Sequence, residues 1–363
     1  MMPRSNDMIS SVFRNIKIAG IASVAPVKEV DCELYCTRFG EKNVKRIMKM
    51  TGVRKIHRAI DEQTSGDLAY EAAARLLRQK NVKPDEIGAI VFLTTCHDYI
   101  VPSTAGVIQK RLGVTQDSLV FDINLGCSAY VYGLETIAAL MSGSNIKKAL
   151  LLTAETNSKL LSPEDNSVML FGDAGSATLL EKKDDAGTMR VALKSDGNRY
   201  DAIYVRGGGF RHRFVSEERV VQSDGVCRSD YDLHMDGGEV FNFTMTDVVG
   251  LFSEFMDENR LSIEDFDSLV LHQASHFVLK HLASSLKMPM DKVPLSLDEF
   301  GNTGAATIPL TLCKAYGYDD SRITKRILAS GFGVGLSWGI ADFLVSPNDI
   351  MPIEYTDEYY KEG

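Results

Sequence analysis

The chain has 363 residues and only six cysteines, none at the paired spacing of a disulfide framework. Cys32 and Cys36 lie four apart, but no second Cys/His pair joins them, so no metal centre is expected and the thiols read as reduced. Long hydrophobic runs are also missing. The charge-free apolar stretches, such as residues 87–96, fall short of the roughly 20 residues that cross a bilayer, so no membrane span is expected. The opening stretch MMPRSNDMISSVFRNIKIAG lacks the apolar core and small-residue cleavage site of a secretory signal, which points to a cytoplasmic protein. Positive charge is scarce as well. A formal net charge of −9 with no cationic stripe speaks against a nucleic-acid partner, and the small cluster Arg206 to Arg213 does not change that. The acidic end, EYTDEYYKEG, reads as a solvated tail.

What is present is a large apolar fraction, 44% against 25% charged residues, enough for about two domain-sized units. The chain also repeats itself. VKPDEIGAIVFLTTC (82–96) has the plan of LSIEDFDSLVLHQAS (261–275), and LGCSA (125–129) matches FGNTG (300–304), offset by about 179 and 175 positions. KKALLLTAE (147–155) matches KRILASGFG (325–333), and GDAGSATLLE (172–181) resembles GVGLSWGIADFL (333–344). Four pairs in one order indicate an internal duplication, with an N-terminal half over residues 1–185 and a C-terminal half over 186–363. Apolar runs such as AIVFL and SLVL do not alternate, which suits strands covered by helices on both faces. Residues 182–238, with the glycines 207–209, read as connecting loops.

The duplication sets Cys127 and Asn302 at the same place in their halves, each at a strand end where a helix begins, while His272 ends another strand. Active sites of open α/β sheets gather at such ends. Taken one at a time, each residue also has a structural reading. Cysteine is often simply buried, histidine at a strand end is often satisfied in the core, and asparagine caps helices. His276 and His281 read as surface residues, and Cys96, Cys227 and Cys313 as packing residues.

Together with MTGVRKIHR (50–58), PSTAGVIQKRLG (102–113), FGDAGSA (171–177), LHMDGGEVFNF (233–243), LVLHQAS (269–275), FGNTGAATIPL (300–310) and GFGVGLSWG (331–339), these residues resemble the β-ketoacyl-acyl-carrier-protein synthase III branch of the thiolase superfamily. The resemblance implies an α/β thiolase-like fold in five layers, α-β-α-β-α, and a homodimer. It also implies a triad of Cys127, His272 and Asn302. Cys127, its thiol pKa depressed at a helix N-terminus, takes an acyl group from a thioester. The N–H groups of Cys127 and Val334 stabilise the oxyanion. His272 and Asn302 then donate to the enolate of a decarboxylating malonyl thioester, whose carbanion attacks the acyl group. Phe332 shapes the pocket, and Val101 reaches toward the partner subunit's acyl pocket.

The implied partners are an acyl carrier protein and, as an alternative donor, acyl-CoA, with no cofactor beyond these thioesters. The C-terminal glycine loop GFGVG has no cysteine, unlike a degradative thiolase, and Asp98 is the only acid in TTCHDYIVPS, where a hydroxymethylglutaryl-CoA synthase has a glutamate. Where acyl-CoA-primed members clamp the adenine, this chain has Arg46 and Asp165, opposite charges that read either as an ion pair closing the tunnel mouth or as two solvated side chains. Phe277 replaces a docking arginine, leaving Lys280 and Lys287 as a weaker basic patch. Two other functions stay open: acyl transfer from Cys127 to an alcohol or amine, and a non-catalytic subunit that binds acyl chains.

Overall fold

The computed structural model describes residues 10–362. Residues 1–9, part of the stretch inspected for a secretory signal, lie outside the described residues. The non-alternating apolar runs become the interior strands of two sheets. Ile87–Thr94 runs parallel both to Leu119–Asn124 and to Lys148–Glu155, and Lys148–Glu155 pairs antiparallel with Ala174–Lys182. Ile16–Ala25 and the short Glu354–Tyr355 complete this six-stranded sheet. The second sheet has five strands, in the order Ser10–Phe13, Met189–Ser195, Ser337–Val345, Lys325–Gly333, Ser268–Leu271.

Three helical layers flank the sheets. Between them lie Ala129–Ser142 and Thr307–Tyr316, whose Leu134, Ile137, Ile308 and Leu312 pack against Val91 and Leu151 of one sheet and Ile327 and Phe343 of the other. A helix apolar nearly all round belongs in such a middle layer. Outside the first sheet, Ser65–Lys80, opened by a Thr64/Asp67 capping box, lays Leu68, Ala72 and Leu76 on Phe92 and Leu150. Outside the second, Val249–Asn259 and His276–Ser285 cover Leu269, Leu271 and Leu328. This is the five-layered thiolase-like arrangement. Among the described residues no helix is long and apolar enough to cross a membrane.

The repeat is visible in detail. The turns Pro84–Glu86 and Ile263–Asp265 each lead into a strand, Ile87–Thr94 and Ser268–Leu271. Three expectations need correction. Asn302 does not follow a strand: Ser296 precedes a one-turn helix, Leu297–Phe300, and Asn302 sits beyond it in an isolated bridge to Phe171. Residues 182–238 are not all loop, because Met189–Ser195 inside them is a full strand of the second sheet.

The acidic tail is docked rather than solvated. Glu354–Tyr355 pairs with Val24 and Ala25, Gln63 Nε2 donates to the carbonyls of Thr356 and Glu358, and the Tyr360 N–H donates to Asp67 at 2.8 Å. The chain ends also cross a boundary drawn at 185/186. Ser10–Phe13 pairs with the second half's Met189–Ser195, and the tail strand joins the first half's sheet.

Candidate active site

The strand Leu119–Asn124 ends three residues before Cys127, and the central helix Ala129–Ser142 begins two residues after it. The end of the strand Lys325–Gly333 and the turn that follows it press against this corner. A Cβ built on Gly333, at φ +154°, would lie 2.8 Å from the Cys127 sulfur, and one on Gly331 would lie 2.9 Å from the Cys127 carbonyl oxygen. Only glycine allows this approach. Val334 follows on the same turn, and its side chain lies beside Gly126.

The main-chain N–H groups of Val334 and of Cys127 itself both reach the sulfur. They favour the thiolate, but burial outweighs them and pushes the thiol up to about 12, with the nearby Glu155 carboxylate adding to the rise. The depressed pKa expected from the helix N-terminus is therefore corrected. At rest Cys127 is a thiol, because the desolvated sulfur gains less from two N–H groups than it loses in leaving water.

His272 is buried just past the strand Ser268–Leu271, its N–H bonded to the Ser330 carbonyl at 2.8 Å. Gln273 fixes the turn, donating to the Leu271 carbonyl and accepting from the Ser296 N–H. The His272 ring meets Phe332 edge-on, with centroids 5.5 Å apart at 88°. Burial lowers its pKa to about 3, so the imidazole is neutral. Asn302 is buried too, and its Oδ1 accepts from the Gly304 N–H at 3.0 Å. That bond leaves the amide N–H groups as the free end of the side chain.

Cys127, His272, Asn302, Phe332 and Val334 line one cavity of about 1350 Å³. Val101 does not line this chain's cavity. It is 80% exposed, while its neighbours Ile100 and Pro102 are on the wall. Sequence reasoning missed Glu155, at the end of Lys148–Glu155, which lies fully buried on the same wall. It accepts from the Thr95 N–H and hydroxyl, and burial raises its pKa to about 7. Its place at a strand end, next to the cysteine strand's neighbour, was the available signal. Asp98 also lines the cavity, raised to about 6 by burial.

The expected Arg46–Asp165 ion pair does not form. Exposed Arg46 donates to Asn43 on its own helix, whereas Asp165 takes the Arg228 guanidinium at 2.7 Å and caps the turn at Ser167. Arg228 is the nearer and more buried cation, so it captures the carboxylate. Phe277, half exposed, meets Phe241 in a tilted ring contact with centroids 5.9 Å apart, and both line the cavity. Lys280, Lys287 and His281 are exposed and His276 is half-buried. Cys313 is buried, Cys227 belongs to a short ribbon, and Cys96 packs beside Asn157.

Comparison with known proteins fits this geometry. The family model described as 3-oxoacyl-[acyl-carrier-protein] synthase III matches residues 121–197, and that of its C-terminal part matches 256–343. Beta-ketoacyl-[acyl-carrier-protein] synthase III of Clostridium perfringens is 32% identical over 91% of this chain and 99% of its own length. The solved 3-oxoacyl-(acyl-carrier protein) synthase of Burkholderia xenovorans superposes with a TM-score of 0.91 at 33% identity, covering 96% of this chain and 99% of that one. A priming β-ketosynthase of the R1128 polyketide pathway superposes with 0.81 at 25% identity, covering 92% and 98%.

Proposed function

Because the chain belongs to the 3-oxoacyl-[acyl-carrier-protein] synthase III family, we propose that it joins an acyl group to a malonyl thioester by decarboxylative condensation, in fatty acid or specialised acyl biosynthesis. The observation that carries this reading is the convergence of the Cys127 thiol, neutral His272 and the Asn302 amide on one cavity, with two main-chain N–H groups on the sulfur.

Cys127 sulfur attacks the thioester carbonyl, the oxyanion is held by the N–H groups of Cys127 and Val334, and the carrier thiolate departs with the proton that Cys127 gave up. A malonyl thioester then binds in the emptied channel and its C–CO2 bond breaks. The electron pair moves into an enolate whose oxygen accepts from His272 Nε2 and from Asn302 Nδ2. The carbanion attacks the acyl-Cys127 carbonyl, expelling the Cys127 thiolate, which is reprotonated. The sequence calls for no metal or redox group.

The malonyl carrier in this reading is an acyl carrier protein. Arg46 and Asp165 offer no adenine clamp, so we read the primer as carrier-bound rather than as free acyl-CoA. We also read the working form as a cytoplasmic homodimer, supported by the strand Leu119–Asn124 at the sheet edge and by exposed Val101 near it.

The test is intact-protein mass spectrometry with matched acyl-CoA and acyl-carrier donors, followed by a malonyl-carrier chase. One acyl adduct on Cys127, released as a β-ketoacyl product with CO2, is the expected result. An adduct that malonyl carrier never discharges but an alcohol or amine does would replace condensation with acyl transfer.

A further inference from the structure

The second half brings two buried polar side chains together, His272 on the cavity wall after the strand Ser268–Leu271 and Thr307 behind it at the start of Thr307–Tyr316. His272 Nδ1 lies 2.8 Å from Thr307 Oγ1. Nε2 is therefore the nitrogen left for a substrate. Burial keeps the ring neutral, so it carries one N–H, and its placement decides what the ring can do.

The Thr307 hydroxyl has a single proton and two acceptors within reach, His272 Nδ1 and the Gly304 carbonyl oxygen at 3.1 Å. If the proton goes to Gly304, Nδ1 must carry the imidazole hydrogen and Nε2 is a bare lone pair. If it goes to Nδ1, the imidazole hydrogen sits on Nε2. The Gly304 oxygen is not stranded by the second arrangement, because it also accepts from the Thr307 main-chain N–H. The helix makes no other demand on this hydroxyl, since Ala306 is the residue at its cap and no side chain caps it. The Thr307 carbonyl is in turn held by the Thr311 hydroxyl at 2.7 Å, which fixes the turn that presents Oγ1.

We propose that Thr307 is a positioning residue that sets the tautomer of His272, donating its hydroxyl proton to Nδ1 and so holding the imidazole hydrogen on Nε2, toward the cavity. The opposite tautomer would offer a lone pair to a negatively charged enolate oxygen, a repulsive contact where the reaction needs a donor. The inference rests on the condensation read above. It assigns Thr307 a role in the decarboxylation half-reaction and none in the acylation of Cys127.

The first experiment is nitrogen NMR of the full-length protein labelled with 15N-histidine, the His272 signals being assigned by their loss in His272→Ala. A protonated Nε2 with bare Nδ1 is expected, and a protonated Nδ1 would overturn the assignment. This readout needs no malonyl substrate, so it is independent of whether condensation is the reaction.

The second experiment separates the half-reactions. Thr307→Val should lower malonyl decarboxylation about 100-fold while leaving Cys127 acylation within about threefold, and Thr307→Ser should recover most of the loss. Equal loss in both half-reactions, or no loss in either, would show that Thr307 serves only the packing of the helix. If the wild type releases no CO2 from any malonyl thioester, the condensation reading falls, and the Thr307 assignment stands or falls on the spectrum.

Discussion

The two halves place a polar side chain at matching positions, Cys127 and Asn302, but they hold them in opposite ways. The backbone of Cys127 is carried by its own half, between the end of Leu119–Asn124 and the start of Ala129–Ser142, and the other half only packs Gly331 and Gly333 against it. Asn302 has lost the corresponding strand and is held by the other half: its N–H donates to the Leu170 carbonyl at 2.8 Å, and its carbonyl accepts from the Gly172 N–H at 3.1 Å. The Cys127 corner kept regular structure and the Asn302 corner exchanged it for a bridge across the pseudo-twofold. Duplication thus preserved where the side chains point, while the means of pointing them diverged.

The comparison breaks most severely at the nucleophile. Cys127→Ala should abolish acylation and with it condensation, lowering the latter by at least about 10³-fold, because no other side chain can carry the acyl group, while His272 and Asn302 still support malonyl decarboxylation. Acyl adducts mapped to Cys96 or Cys313 would overturn this. Asn302→Ala should break only one side of it. Malonyl decarboxylation should fall about 10²-fold with acylation retained, measured as CO2 release and as adduct mass. Loss of acylation alone would reverse the roles given to the two corners.

Smaller effects sharpen the contrast. With the Cys127 thiol raised to about 12, its thiolate is the minor form at neutral pH and its fraction rises with pH toward that value. Alkylation of Cys127 by iodoacetamide should therefore climb roughly tenfold per pH unit from 7 to 9 without levelling. A plateau below pH 8 would restore the low-pKa thiolate.

Gly172→Ala tests the bridge itself. A Cβ there would lie 2.2 Å from the Phe300 carbonyl oxygen, so the variant should lose about 1–3 kcal/mol of stability. Decarboxylation should suffer more than acylation. Equal losses in the two half-reactions would mean that the bridge does not position Asn302.

How much of this was legible in the sequence follows from what each feature depends on. The strands were legible because AIVFL and LLLTAE carry their burial in composition, and the repeat gave their order. That Cys127, His272 and Asn302 would meet on one cavity was legible from the motifs around them. The one-turn helix before Asn302 was not, since the match of FGNTG to LGCSA put a strand end there, whereas a cross-half bridge takes over the backbone bonds. The Arg46–Asp165 pairing failed for a related reason. Proximity in an aligned position says nothing about a competing cation, and Arg228 arrives from a segment 63 residues further on. Glu155 escaped because an acid ending an apolar strand looks like an exposed terminus, and only the packed structure shows it enclosed. The helix N-terminus led to the wrong thiol pKa because desolvation of the sulfur cannot be read from local sequence.

The crossing of the chain ends bears on how the molecule could be taken apart. Each half lends the other an edge: the strand Ser10–Phe13 completes the second sheet, and the segment from Glu354 onward lies on the first. A fragment ending at the midpoint would carry an edge strand with nothing to pair to and would expose the surface that the tail covers. The complementary fragment would have the converse defect. The duplicated ancestry visible in the repeat has therefore been closed over by a mutual clasp, and the two halves should be recovered as a folded pair or not at all.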